Sequence, residues 1–144
     1  MEKLAFACDH GAIELKDAVM KEMIAEGYEI EDLGTYDKES VDYPIYGKKC
    51  AEYVASGKAD KGVVFCGSGI GISIAANKVK GIRCALITGE EYAKLAAEHN
   101  NANMIALGGR FTETEDAIRY IKIWLSTPFG EGRHARRVEM LNEM

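Results

Sequence analysis

The sequence predicts an α/β fold: a three-layer α/β/α sandwich with a five-stranded parallel sheet and a C-terminal tail helix. Three observations lead there. Short β-branched or aromatic runs alternate with longer stretches of helical period, the pattern of βαβ units. The strand runs crowd apolar residues together, as strands covered on both faces require. The chain has 144 residues, 47% of them apolar and 28% charged, and at that size one core buries roughly 70% of the unfolded surface. No repeat or linker interrupts it, so a single domain over residues 1–144 is expected.

Strands are expected over Leu4–Cys8, Tyr28–Asp32, Gly62–Cys66, Ile82–Ile87 and Met104–Leu107. Between the first two, Ile13–Glu26 sets Ile13, Leu15, Val19, Met20, Met23 and Ile24 along one helical stripe, and Gly27 stands where a C-terminal cap belongs. The same logic gives helices over Ile45–Ser56 behind Pro44, Gly71–Lys78, Glu90–His99, Glu113–Leu125 behind a Thr112 cap, and a tail helix near Arg136–Glu143. The longest unpatterned stretch runs from Gly34 to Pro44 and carries Asp37, Ser40, Asp42 and Tyr43. Loops of that length in small α/β domains often carry function.

Charge and composition narrow the partners. Lys and Arg number 18 against 23 Asp and Glu, a net charge of −5, which is the wrong sign for binding a nucleic-acid backbone. No apolar run approaches the 18 or so residues of a membrane span, and Met1-Glu2-Lys3 leads into a strand rather than a signal sequence. Cys8, Cys50, Cys66 and Cys84 are irregularly spaced without a C-x-x-C pair. A cytoplasmic protein with neither nucleic-acid nor membrane partners is expected.

Ligands of open α/β sheets gather at the carboxyl ends of the strands. There the first strand delivers Cys8, Asp9 and His10, and the third delivers Cys66-Gly67-Ser68-Gly69-Ile70-Gly71 before a helix. Glycines between a buried strand and a helix N-terminus let backbone N–H groups converge on an anion. The spacing is that of neither a dinucleotide fingerprint nor a P-loop, so another oxyanion is expected. Tight strand-to-helix packing explains the glycines alone equally well. Cys66 shifts the balance, because a helix N-terminus lowers a thiol's pKa and frees its thiolate as base or nucleophile. Cys8, Cys50 and Cys84 read as core thiols. His10, His99 and His134 all fall at element ends or in the tail. Asp9, His10, Cys66 and His99 leave a metal site open as an alternative, though no recognisable ligand spacing supports one. In the run Arg133-His134-Ala135-Arg136-Arg137, cations oppose the positive end of a helix, which implies a neutralising anion; the alternative is a solvated helix start.

Cys8-Asp9-His10-Gly11, Asp42-Tyr43-Pro44, the run from Cys66 to Lys78, Glu98-His99-Asn100, Asn103, and Gly132-Arg133-His134 with Arg137 together resemble the type B ribose-5-phosphate isomerases of the ribose/galactose isomerase family. Ser68 stands where some relatives carry Thr, which keeps the hydroxyl. The resemblance implies a Rossmann-like sheet of order 2-1-3-5-4 and interconversion of ribose 5-phosphate and ribulose 5-phosphate, a step of the pentose phosphate pathway, with no metal or organic cofactor. It makes Cys66 the base that moves a proton through an enediolate, Ser68 a proton relay, and His99 the residue that opens the sugar ring. It assigns the developing oxyanion to the amides of Gly67, Ser68, Gly69, Ile70 and Gly71. Asp9, His10, Asp42, Tyr43 and Asn100 are expected to line the sugar, and Arg133 and Arg137, with Arg110, His134 and as a second role His10, to grip the phosphate. Cys66 ends a strand whereas His99 ends a helix leading into one, so they belong to opposite sheet edges. If both serve one sugar, a homodimer with shared sites is expected, alone or within a tetramer. Isomerisation of allose or galactose 6-phosphate is the alternative in the same class. A non-catalytic sugar-phosphate or nucleotide-binding module is the alternative from another class, and it would tolerate Ser at position 66.

Overall fold

The computed structural model describes residues 2–144. Strands β1 (Lys3–Cys8), β2 (Glu29–Asp32), β3 (Lys61–Cys66), β4 (Cys84–Leu86) and β5 (Met104–Gly108) form one parallel sheet in the order β2-β1-β3-β5-β4. The helices are α1 (Ile13–Ala25), α2 (Tyr43–Ala55), α3 (Ile70–Asn77), α4 (Glu90–Glu98), α5 (Thr114–Ser126) and α6 (Arg133–Asn142), with a 3₁₀ turn at His10–Ala12. The strand order reverses between β1 and β3, so a crevice opens at their carboxyl ends.

Period-two alternation sorts the core into two layers. Leu4, Phe6, Val63, Phe65, Ile105 and Leu107 face α1, α4 and α5, where Trp124 is fully buried. Phe6 and Phe65 meet at 5.5 Å between ring centroids, and the Trp124 indole N–H donates to the Ala102 carbonyl at 2.9 Å. Each such buried ring or branched chain contributes about 1.5–3 kcal/mol. Ala5, Ala7, Val64, Cys66, Met104 and Ala106 face α2 and α3. Gly47 lets α2 sit close against Ile72 and Ala75 of α3, and α3 begins after the three-residue turn that follows Cys66.

Several expected details are corrected. Only the central strands are buried, beyond the half-buried Lys3 and Lys61 that open β1 and β3: β2 alternates between exposed and half-buried residues, and β4 shortens from the expected Ile82–Ile87 to three residues. Both lie at the sheet edges, where only one neighbour covers a strand. Ile24 is 48% exposed rather than part of the α1 stripe, and Lys16 is buried in the helix instead, fully out of solvent. The Thr112 cap is not made: Glu113 occupies the N-cap without a side-chain bond, and Glu115 and Asp116 supply the negative charge that a first turn favours. α2 starts at Tyr43 with Pro44 in its first turn, where the missing N–H costs nothing. The tail helix starts at Arg133, three residues ahead of expectation, behind Gly132 with φ of 58°. No helix among the described residues is long and apolar enough to cross a membrane.

Candidate active site

At the end of β1, Asp9 is nearly buried and its Oδ1 accepts the Gly11 N–H at 3.0 Å, capping the 3₁₀ turn. That turn holds His10, whose Nδ1 accepts the Val41 N–H at 3.0 Å. The Val41 amide was invisible to sequence reading, because a backbone group leaves no mark in residue type.

At the end of β3, Cys66 is 4% exposed, and the Gly69 N–H donates to its Sγ at 3.2 Å. Gly69 adopts φ of +79°, and a Cβ there would lie 2.9 Å from the Leu107 carbonyl carbon, so only glycine fits. This turn aims the N-terminus of α3 at the crevice, where the first N–H groups of a helix lack intrahelical acceptors. The Ile70 N–H donates to Ser68 Oγ at 3.1 Å, and Ser73 Oγ donates to the Ile70 carbonyl at 2.7 Å.

Two further elements close over the turn. A Cβ on Gly71 would meet the Tyr43 ring at 2.5 Å, and one on Gly67 would meet the Arg110 guanidinium at 3.2 Å, so both side chains lie directly on the glycine run. Arg110 is brought there by its own backbone, whose N–H donates to the Gly67 carbonyl at 3.0 Å. Asp42 sits exposed beside Tyr43 at the N-cap of α2 and makes no capping bond. The crevice thus gathers Asp9, His10, Asp42, Tyr43, Cys66, Gly67, Ser68, Gly69, Ile70, Gly71 and Arg110.

The remaining expected residues form a second group at the opposite rim of the sheet, where the strands begin. His99 ends α4 ahead of β5, and its ring stacks on His134 at 4.3 Å between centroids. The Gly130 N–H donates to the Glu98 carbonyl at 2.8 Å, which docks the start of the tail against this corner. Partial burial, then His99, Arg133 and Arg137, push the His134 pKa down. Arg133 and His134 stand in the first turn of α6 without a side-chain cap, so the clustered positive charge opposes the helix dipole. Asn100 follows His99 and gives its carbonyl to Arg83.

Burial pushes the Cys8 and Cys50 thiols up to about 12, and Cys84 is pushed up as well by burial and by Cys50. These stay neutral core thiols. Among the described residues no three His, Cys, Asp or Glu side chains are grouped so as to hold a metal ion.

A buried ammonium beneath the loop was missed by sequence reading. Lys16 Nζ donates to Asp32 Oδ1 at 2.5 Å and to the Thr35 carbonyl at 3.0 Å. It anchors the segment that leads through Val41 to Asp42 and Tyr43. Its spacing with Ala12, Val19 and Met23 on the core face of α1 was the available signal.

Known proteins carry the same architecture. The profile of the Ribose/Galactose Isomerase family matches residues 4–141. Ribose-5-phosphate isomerase B of Escherichia coli is 42% identical over 142 residues, covering 98% of this chain and 95% of that protein. The galactose-6-phosphate isomerase subunit LacB of Clostridium acetobutylicum is 49% identical over 109 residues, covering 76% of this chain and 63% of that protein. The crystal structure of a ribose 5-phosphate isomerase from Thermotoga maritima superposes with a TM-score of 0.97 at 48% identity, covering 99% of both chains. With its β2-β1-β3-β5-β4 sheet, its crevice at the ends of β1 and β3, and a family profile that matches residues 4–141, the chain belongs to the ribose/galactose isomerase family.

Proposed function

We propose that the chain, as one domain, interconverts ribose 5-phosphate and ribulose 5-phosphate by proton transfer through an enediolate. The observation that carries this reading is Cys66, a thiol held at a helix N-terminus with the Gly69 N–H on its sulfur. In the aldose-to-ketose direction the Cys66 thiolate removes the proton on C2 and returns it to C1. Ser68 passes a proton between O1 and O2, and the amides from Gly67 to Gly71 hold the negative oxygen. Elsewhere one such donor is worth about 3–4 kcal/mol. Carbon and oxygen exchange only protons and an electron pair within the sugar, so the scheme calls for no metal or organic cofactor. Asp9 and His10 bind sugar oxygens, and Asp42, Tyr43 and Asn100 line the site. Four unpaired thiols support a cytoplasmic location.

The same reading makes the active unit a homodimer. β3 has six residues, so roughly 20 Å separates the two sheet edges, too far for Cys66 and His99 of one subunit to share a sugar. An isologous two-fold pairing brings each crevice the complementary edge of the other copy. Ring opening then falls to His99 of the partner subunit. Arg110 joins the partner's Arg133, the partner's His134 and the partner's Arg137 on the phosphate. Exposed apolar residues beside the crevice, Ile45 (61%), Ile70 (54%) and Ile74 (56%), support such a contact.

Similarity to a galactose-6-phosphate isomerase subunit supports six-carbon substrates as a second reading. Turnover of ribose, allose and galactose phosphates by the purified protein tests both. The highest kcat/KM is expected on ribose 5-phosphate; preference for a six-carbon sugar would favour the second reading, and no turnover of any would overturn both. Arg137→Ala is expected to raise KM for ribose 5-phosphate by about tenfold or more, and far less for unphosphorylated ribose, because a guanidinium fork has no partner there. Equal losses on both sugars would assign the residue to structure alone.

A further inference from the structure

The ten-residue helix α6 buries one side chain, Val138. A cavity of about 510 Å³ lies between its end, at Leu141, and the segment that leads into β4. A helix this short is marginal alone, so polar contacts at its ends set its orientation. The N-terminal end is docked by the Gly130 N–H on the Glu98 carbonyl and by the stacked His99 and His134 rings. At the far end Arg83, just ahead of β4, sends one Nη–H to Asn142 Oδ1 at 2.5 Å and the other to the Asn101 carbonyl at 2.8 Å. Its Nε–H is shared between the Asn100 and Asn101 carbonyls at 3.1 and 3.2 Å. Asn101 turns the corner behind His99 with φ of 45°, a conformation few non-glycine residues adopt. One rigid guanidinium therefore ties the corner after His99 to the last turn of the tail helix.

We propose that Arg83 is a positioning residue that fixes how α6 presents Arg137. Once Arg83 is removed, α6 keeps its hinge at Gly130–His134 and swings at its free end. Arg137, one turn beyond Arg133, is displaced further than Arg133. The proposal rests on the reading of these two arginines as phosphate ligands.

Steady-state kinetics on ribose 5-phosphate are measured for Arg83→Gln alone and combined with Arg133→Ala or Arg137→Ala. Arg83→Gln is expected to raise KM by about tenfold and to change kcat by less than about threefold, since misplaced binding groups weaken binding without touching the reacting carbons. In the Arg137→Ala background the increase should shrink to less than about twofold, because an absent side chain cannot be misplaced. Over Arg133→Ala most of it should persist. An unchanged KM, or the same factor in the wild-type and Arg137→Ala backgrounds, would overturn the positioning role. If Arg137→Ala itself leaves KM unchanged, the phosphate-ligand reading fails and the positioning role falls with it. A full Arg137 effect beside a silent Arg83→Gln overturns the positioning role only. If Arg83→Gln folds poorly, the exposed Asn142→Ala cuts only the tail arm. It should give a smaller KM increase that again vanishes over Arg137→Ala, and an additive increase there would overturn the proposal.

Discussion

Cys66→Ala is expected to lower isomerisation of ribose 5-phosphate by about 10²–10⁴-fold, the range lost with a positioned acid or base. Exchange of the substrate C2 proton with solvent should fall by the same factor, because both processes begin with the same abstraction. Binding of a non-reacting sugar-phosphate analogue should stay near the wild-type value, since in the proposed reaction the thiol acts on carbon and the arginines on phosphate. No other cysteine can take over: Cys8 and Cys50 are held as neutral thiols with values near 12, and Cys84 is pushed up too. Exchange measured by loss of the C2 proton signal in heavy water checks this directly. Retention of most exchange would remove Cys66 from the reaction, and a Cys66→Ser protein with intact turnover would do the same.

Lys16→Met is expected to cost about 3 kcal/mol of stability, equivalent to a fall of roughly 10 °C in Tm for a chain of this length. The Lys16 side chain is fully buried against Asp32, which is 30% exposed, and it also satisfies the Thr35 carbonyl. Removing the ammonium leaves the buried Thr35 carbonyl only the weak Cys8 thiol donor at 4.0 Å and the carboxylate without its cation, whereas the methionine restores only the packing. Urea unfolding at fixed protein concentration measures the loss, and a difference below about 1 kcal/mol would mean that solvent reaches Asp32 and Thr35 freely.

The elements that hold the crevice were legible in the sequence for physical reasons. β1, β3 and β5 are covered on both faces, so their apolar runs stand out, and Gly27 marks the end of α1 with φ of +99°. Cys66 and the glycines after it announced a tight strand-to-helix turn at the crevice, because strand, glycines and helix follow one another in the chain. The edge strands were overestimated because edge position is a property of the assembled sheet. Ile24 and Lys16 exchanged places because burial depends on which neighbour covers each face of α1, and an ion pair with Asp32 across 16 residues has no local signature. Arg110 came from the resemblance alone: its place over Gly67 follows from pairing beyond the ends of β3 and β5. The tail helix was readable, yet its start was placed three residues late, since Arg133 and His134 at an uncapped helix start contradict local preference.

The division of one proposed site between two sheet edges is tested most directly by subunit complementation. Cys66→Ala and His99→Ala proteins, each inactive alone, are mixed under conditions that exchange subunits, and ribose 5-phosphate turnover is followed. In a two-fold dimer each mixed pair holds one intact site and one doubly damaged site, and random exchange makes half the dimers mixed, so activity should recover to about a quarter of wild type. No recovery, with mixed dimers demonstrated by mass spectrometry, would place His99 within its own subunit's chemistry or outside the reaction, and would contradict the shared site.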